Sequence, residues 1–230
     1  MDKIKIQAVF LDTLRVGRAH FFSFAVLGLV AYSPFLYRAF TVELGENAPK
    51  PTLEFQALEL LLSQLLTGVI AYGTIAFLKG RPAGFLKMAN IGIIRMFPIV
   101  AVGLISSLAL LSLTFFPILF FPAIVLTIIL YIAIPVAVAE QPSIVQSLRR
   151  SAELTDGHRW QIFSILILQV MVILVGAQLL SLAFGEQGES PTMAYILTIL
   201  GLQVVVGIAG SILTGVTYFH LARPKVHSLG

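Results

Sequence analysis

The chain has 230 residues, of which 58% are hydrophobic and 11% charged, and its mean hydropathy is +0.96. Soluble domains carry about 25% charged residues, so a water-soluble fold is excluded. At about 20 apolar residues per crossing, the length holds at most about six or seven spans and leaves no room for a separate catalytic domain. No Cys is present, which removes disulfides, thiolate metal sites, iron–sulfur ligation and a Cys nucleophile.

The chain therefore reads as one all-α, polytopic membrane domain over residues 1–230, with spans at about 21–40, 57–78, 91–115, 118–139, 160–184 and 193–221. Ahead of the first span, Ile4 to Gly17 sets Ile6, Val9, Phe10, Thr13 and Val16 on one face, the pattern of an amphipathic helix in the membrane interface. The apolar run Phe21 to Tyr37 comes next, between His20 and Arg38, whose side chains can snorkel. Asp2 and Asp12 precede it and no A-x-A site ends it, so it is expected to be retained rather than cleaved as a signal peptide. After the second span comes the basic segment Lys79 to Lys87. Pro117 is expected to split the apolar stretch from Ile91 to Ala139 into a hairpin. Gly185 to Pro191 forms an acidic loop before the last span. The loop Thr41 to Phe55, with Pro49 and Pro51, reads as a solvated connector on the opposite side, or as a contact for a periplasmic protein.

An even number of spans places both termini on one side. That side receives thirteen Lys and Arg and five acids, against two and six opposite, for charges of +8 and −4. The excess marks the cytoplasmic face. Its basic residues sit at span ends, which favours anionic lipid headgroups and disfavours nucleic acid.

Each pair of spans is preceded by a segment able to form an interfacial helix. Residues 10–22 and 85–97 align at a constant offset of 75, pairing Phe10 with Phe85, Gly17 with Gly92 and Phe22 with Phe97. The third segment begins at Pro142, carries an apolar stripe of Ile144, Leu148 and Ala152, and stops at Gly157. The resulting expectation is three transmembrane hairpins, each led by a cytoplasmic amphipathic helix.

Within the spans, Gln203, Gly207, Ser211 and Gly215 recur every four residues, and Gln64, Gly68 and Ala71 form a similar stripe. Small residues at this spacing let helices approach closely in lipid. A groove lined by Gln64, Thr67, Tyr72, Gln169, Gln178 and Gln203 is the sharper alternative for these polar groups. No ionisable residue falls at mid-membrane, Glu59 and Glu140 lying near span ends, and this disfavours an ion-coupled transporter. His20, His158 and His220 fall at the cytoplasmic boundary and His227 in the tail, without the spacing of a metal site. No G-x-S-x-G, phosphate loop or G-x-G-x-x-G occurs, so neither catalysis nor a cofactor is expected.

The polar stretch Glu140 to Trp160 is richer than topology requires. Arg149, Arg150 and Arg159, with Trp160 at the headgroup level, form a candidate site for a phospholipid phosphate or a protein partner in the membrane or at its cytoplasmic face. The plainer reading is a solvated helix that only sets orientation. Glu140-Gln141-Pro142, then SLRRSAELTDGHRW and an apolar helix, resembles the membrane domain attached to some glycerophosphoryl diester phosphodiesterases and the related YciC-like bacterial inner-membrane proteins. The resemblance implies a six-span plan, a bacterial inner-membrane location and a tie to glycerophospholipids. It does not imply phosphodiesterase activity, which belongs to a soluble barrel domain. The expected function is a non-enzymatic accessory or scaffold subunit that binds phospholipid or a membrane partner; the alternative is a transporter or permease subunit for a lipid-like or apolar solute.

Overall fold

A computed structural model of the chain describes residues 6–41, 52–115, 120–140, 143–185 and 193–222. Among the described residues ten helices succeed one another: α1 (Ile6–Ala19), α2 (Phe21–Thr41), α3 (Leu53–Leu78), α4 (Phe85–Ile94), α5 (Met96–Phe115), α6 (Phe120–Leu130), α7 (Ala133–Ala139), α8 (Ile144–Thr155), α9 (Arg159–Phe184) and α10 (Met193–Ala222). Among the described residues there is no strand. Five apolar stretches are long enough to cross a membrane, and the bent pair α4 and α5 makes a sixth if it counts as one span. All-helical architecture suits a membrane protein because each helix satisfies its own backbone groups where no water can. Pro117, Pro142 and the acidic loop after Gly185 lie outside the described residues.

The bundle is organised around α3, which touches α2, α4, α5, α7 and α10. One face of α3 packs on α10. There the Ser211 and Thr67 hydroxyls lie 3.2 Å apart, and a Cβ on Gly215 would stand 3.1 Å from both Ala71 Cα and Thr74 Cβ. The other face packs on α5, where the Gln64 amide donates to the Ser107 hydroxyl at 3.1 Å. A Cβ on Gly68 would come within 2.8 Å of the Ile99 side chain. Gly207 gives the same clearance to Tyr32 of α2, whose hydroxyl would be 3.1 Å from an added Cβ. The small residues are thus places where a neighbour occupies the volume of the missing side chain.

The stretch expected as one span over 118–139 is two helices, broken at Tyr131 and Ile132. Pro135 is the cause: it has no N–H for the Tyr131 carbonyl, and its ring pushes that carbonyl away. The Tyr131 N–H turns back to the Ile128 carbonyl at 3.4 Å, and the ladder resumes from Val136 N–H to Ile132 at 3.0 Å. Ser151 of α8 donates its hydroxyl to the Ile129 carbonyl at 2.6 Å, which covers a backbone acceptor beside the break. This contact also extends the expected inner side of α8 beyond the apolar stripe. Its deepest face is the polar stripe Ser147, Ser151 and Thr155, all fully buried, and Ile144 and Leu148 flank it against the α5–α7 cluster. Small hydroxyl residues bring α8 close to α6 and α7 while bonding backbone carbonyls, as Ser147 also does to Ser143 at 3.0 Å.

Three elbows join a short helix to a long one. α1 turns into α2 at His20, α4 into α5 at Arg95 with a 73° bend, and α8 into α9 across Asp156 to His158. Placing the second elbow at Arg95 moves the start of that span from the expected Ile91. At the first elbow His20 N–H bonds the Val16 carbonyl and Phe24 N–H bonds the His20 carbonyl; at the second, Arg95 bonds Ile91 and Ile99 bonds Arg95. Donors and acceptors alike are separated by the offset of 75 read from the sequence. At the third, His158 N–H bonds Thr155 and Ile162 N–H bonds His158, after Gly157 has taken φ +76°, a left-handed stop that only glycine adopts freely. Two residues beyond each elbow an aromatic is exposed, Phe22 at 80%, Phe97 at 75% and Trp160 at 79%. Four residues beyond, the side chain is buried, Phe24 at 1% and Ile99 and Ile162 at 0%.

Because Gly215 has backbone and β-branched neighbours at contact distance, Gly215→Val should separate α3 from α10 and destabilise by about 1–3 kcal/mol. Gly201→Val, where an added Cβ meets nothing within 4 Å, should leave the thermal midpoint in detergent within about 1 °C of wild type. Equal midpoints for the two variants would show that the α3–α10 contact does not hold the bundle.

Candidate functional site

The corner formed by the end of α7, the whole of α8 and the start of α9 gathers the charged residues singled out in the sequence. α8 begins at a capping box: Ser143 accepts from Gln146 N–H, and the Gln146 side chain accepts from Ser143 N–H. This fixes the helical phase of α8, so that Arg149, Arg150 and Glu153 emerge together. Arg149 Nε lies 3.2 Å from Glu153 Oε1, and Arg150 Nη1 lies 3.4 Å from Glu153 Oε2. Arg150 also reaches back to Glu140, Nε to Oε2 at 3.3 Å, and the buried Tyr218 of α10 donates its hydroxyl to Glu140 Oε1 at 3.0 Å. Beyond the turn, Arg159 pairs with Asp156 at 3.4 Å, and His158 Nδ1 is 3.2 Å from the Asp156 carbonyl. Trp160 stands outward with its ring edge-on to Phe163 at 5.9 Å.

The structure thus joins Arg149 to Arg150 through one carboxylate and leaves Arg159 and Trp160 on the far side of the elbow. Three arginines face three carboxylates, so the corner is close to neutral. Arg150, held between Glu140 and Glu153, is a structural tie linking α7, α8 and α10. Arg149 is different: its side chain is 81% exposed with a single acidic partner, and a guanidinium has five N–H donors. Arg149, Arg159 and Trp160 are consequently the members of the set that face outward.

The six polar residues considered as a groove do not converge. Gln64 turns to α5 and Thr67 to α10, Tyr72 packs in the apolar core, and the Gln169 amide fills the space beside Gly210. Gln178 is exposed, and Gln203 lines a cleft of about 270 Å³ with Arg38, Glu59 and Tyr195 between α2, α3 and α10. The histidines are also separate: His20 rests edge-on to Phe77 at 5.1 Å, while His220 Nε2 sits 2.9 Å from Asp12 Oδ2. The Asp12 contact, with Val9 and Val16 buried against Ile212 and Val216 in the same apolar cluster, ties α1 to α10.

Sequence reasoning missed Tyr218, which reads as one more aromatic near a span end, and the Asp12–His220 pair, whose members are 208 positions apart. It also missed a groove of about 510 Å³ between α1, α2 and α10, walled by Gly17, Phe21, Phe24, Val205 and Ile208 among others, with Arg18 as its charged residue. The sequence signal for it was the small residue Gly17 beside Arg18 at the end of an amphipathic helix. No protein-family model matches the chain, and no curated protein or solved structure matches it significantly.

If Glu140 is the acceptor that completes the buried Tyr218 hydroxyl, Glu140→Ala should cost about 1–3 kcal/mol and Tyr218→Phe about 1 kcal/mol. The double variant should fall short of their sum by about 1 kcal/mol in a thermal-unfolding cycle. Strict additivity would show that the two groups do not interact.

Proposed function

We propose that the chain is a non-enzymatic, six-span protein of a bacterial inner membrane, with both termini cytoplasmic, and that it serves as an accessory or scaffold subunit binding phospholipid at its cytoplasmic face. The elbows carry this reading. Each places a short helix (α1, α4 or α8), an exposed aromatic and nearby Lys or Arg at the foot of a long apolar helix, which is the composition of a membrane interface on the positive side. Arg149, Arg159 and Trp160 at the third elbow, and Arg18 at the first, present donors to the phosphate layer. The long helices offer lipid a wide apolar flank: on α9, Leu168, Val170, Met171, Val172, Leu174 and Val175 are all exposed, and successive positions cover every direction around a helix.

The non-enzymatic assignment is supported by how the polar side chains are used. The Ser147, Ser151 and Thr217 hydroxyls bond backbone carbonyls, Gln64 bonds a serine, His158 lies against the Asp156 carbonyl, and His220 is held by Asp12 of α1. The tie to glycerophospholipids is carried by the resemblance of the Glu140 to Trp160 segment.

Native mass spectrometry of the protein extracted gently from its membrane tests the binding role; retained phospholipid is expected, and a stoichiometric protein of defined mass would assign the scaffold role to that partner. Protein emerging with neither removes the reading. The orientation is open to single-cysteine labelling, since no native Cys interferes. Lys79→Cys should react with an impermeant maleimide only after the membrane is opened, and Thr52→Cys in intact spheroplasts. The reverse pattern overturns the topology.

A further inference from the structure

We infer that the groove between the α1–α2 elbow and α10 is a site for one anionic phospholipid, an acyl chain lying in the groove and the phosphate held at Arg18. The inference rests on the interfacial placement of the elbows proposed above and names the ligand class at one of them.

Chemistry and position both point to this occupant. At about 510 Å³ the groove is within the size range of small-molecule sites, about 300–1,000 Å³. Its walls are almost wholly carbon: Gly17, Ala25 and Ala209 keep it open, and Phe24 and Ile212 form buried parts of it. The Thr13 hydroxyl, the polar group on the α1 wall, donates to its own helix at Val9 with a 2.8 Å bond, so the wall presents no unmet donor to an alkyl chain. Leu14 and Phe21 are exposed on its rim, which opens the groove sideways to hydrocarbon. Arg18 supplies the headgroup contact. Asp12, six positions earlier on α1 and outside the i,i+3 and i,i+4 reach of Arg18, pairs with His220 at 2.9 Å and with Arg15 at 3.9 Å, and among the described residues Arg18 has no acidic partner. This differs from the α8 corner, where every arginine faces a carboxylate. A cation above an apolar slot at the inner surface is complementary to a phosphodiester carrying net negative charge, whereas a zwitterionic lipid brings its own ammonium and gains less.

α10 also sets the depth. Its 30 residues extend about 45 Å at 1.5 Å per residue, beyond a hydrocarbon core of about 30 Å. With the helix centred on the core, His220 lies below it, Ile208 to Ile212 of the groove fall within its inner half, and Val205 lies near the midplane.

The test uses the full-length protein in detergent with phosphatidylglycerol or phosphatidylcholine of identical chains, bound lipid being counted by native mass spectrometry. Wild type should hold one phosphatidylglycerol about fivefold or more in preference to phosphatidylcholine, the contribution of one cation near a membrane surface. Arg18→Gln should abolish that preference while keeping acyl occupancy, and Ala209→Trp, which fills the slot, should lower retention of both lipids. Ala25→Leu fills it from the opposite wall and serves if Ala209→Trp fails to fold. Preference unchanged in Arg18→Gln overturns the phosphate assignment, and retention unchanged in folded Ala209→Trp or Ala25→Leu overturns the groove. Should the preference survive these variants and vanish in Arg149→Gln/Arg159→Gln, the groove falls and the broader lipid-binding reading stands. A wild type indifferent to headgroup overturns the phosphate assignment at Arg18 but leaves the broader lipid-binding reading standing; only a protein that retains neither lipid removes both.

Discussion

The contact along which α3 and α10 touch is the constraint on which the remaining arrangement depends. In lipid no hydrophobic force drives one apolar helix against another, so association rests on the closeness of packing and on shared polar contacts. Gly215 against Ala71 and Thr74, and Ser211 beside Thr67, supply both on one face of α3. Gly68 and Gln64 supply both on the other face, toward α5. With α3 gripped from two sides, α2 is drawn against α10 through Tyr32 and Gly207, and α7 closes over the same core where Ile75 and Tyr218 meet Ile132 and Val136.

A second constraint is that a broken helix must have its backbone groups met by something else. Pro135 interrupts the fourth span, and the cover comes from Ser151 on a short helix otherwise marked by charge. α8 is therefore both a surface element and part of the core. Its buried hydroxyl stripe supports the break, while its opposite side carries the Arg149, Arg150 and Glu153 cluster. Glu140, at the end of α7, and Tyr218 of α10 then lock the charged side to the bundle. The short helices at the other elbows are anchored in the same way, with Val9 and Val16 of α1 and Met88 and Gly92 of α4 buried.

Much of the fold was legible in the sequence because membranes simplify the code. Long apolar runs and small residues four apart each have one physical meaning in lipid, and the offset of 75 led to two elbows with the same hydrogen-bond pattern. Gly157 was legible as a stop for the same reason: few residues other than glycine adopt its φ. The break caused by Pro135 was less legible, since a proline in a span is equally compatible with an unbroken but kinked helix, and the Ser151 that covers the break is 22 positions from the Ile129 carbonyl it bonds. The apolar side of α8 was legible in Ile144 and Leu148, which do pack on the core, but the deeper stripe of Ser147, Ser151 and Thr155 was not, because hydrophobicity ranks Ile and Leu above Ser, whereas a helix packed against backbone carbonyls favours small hydroxyls. Of the candidate site, the residue types were visible but their pairing was not. Whether Arg150 faces a phosphate or Glu140 is decided by where α7 ends, and the partner of Asp12 is His220, from the far end of the chain.

The exposed aromatics beyond the elbows have a mechanical consequence. On the interfacial placement proposed here, the exposed Phe22, Phe97 and Trp160 are three points of attachment, one beyond each elbow, and three points define a plane where two define only an axis. A bundle held in this way cannot rock about its foot. Tilting about any one of these points would draw another out of the headgroup layer, so on this placement the base sets the tilt of the whole bundle, as the feet of a tripod do.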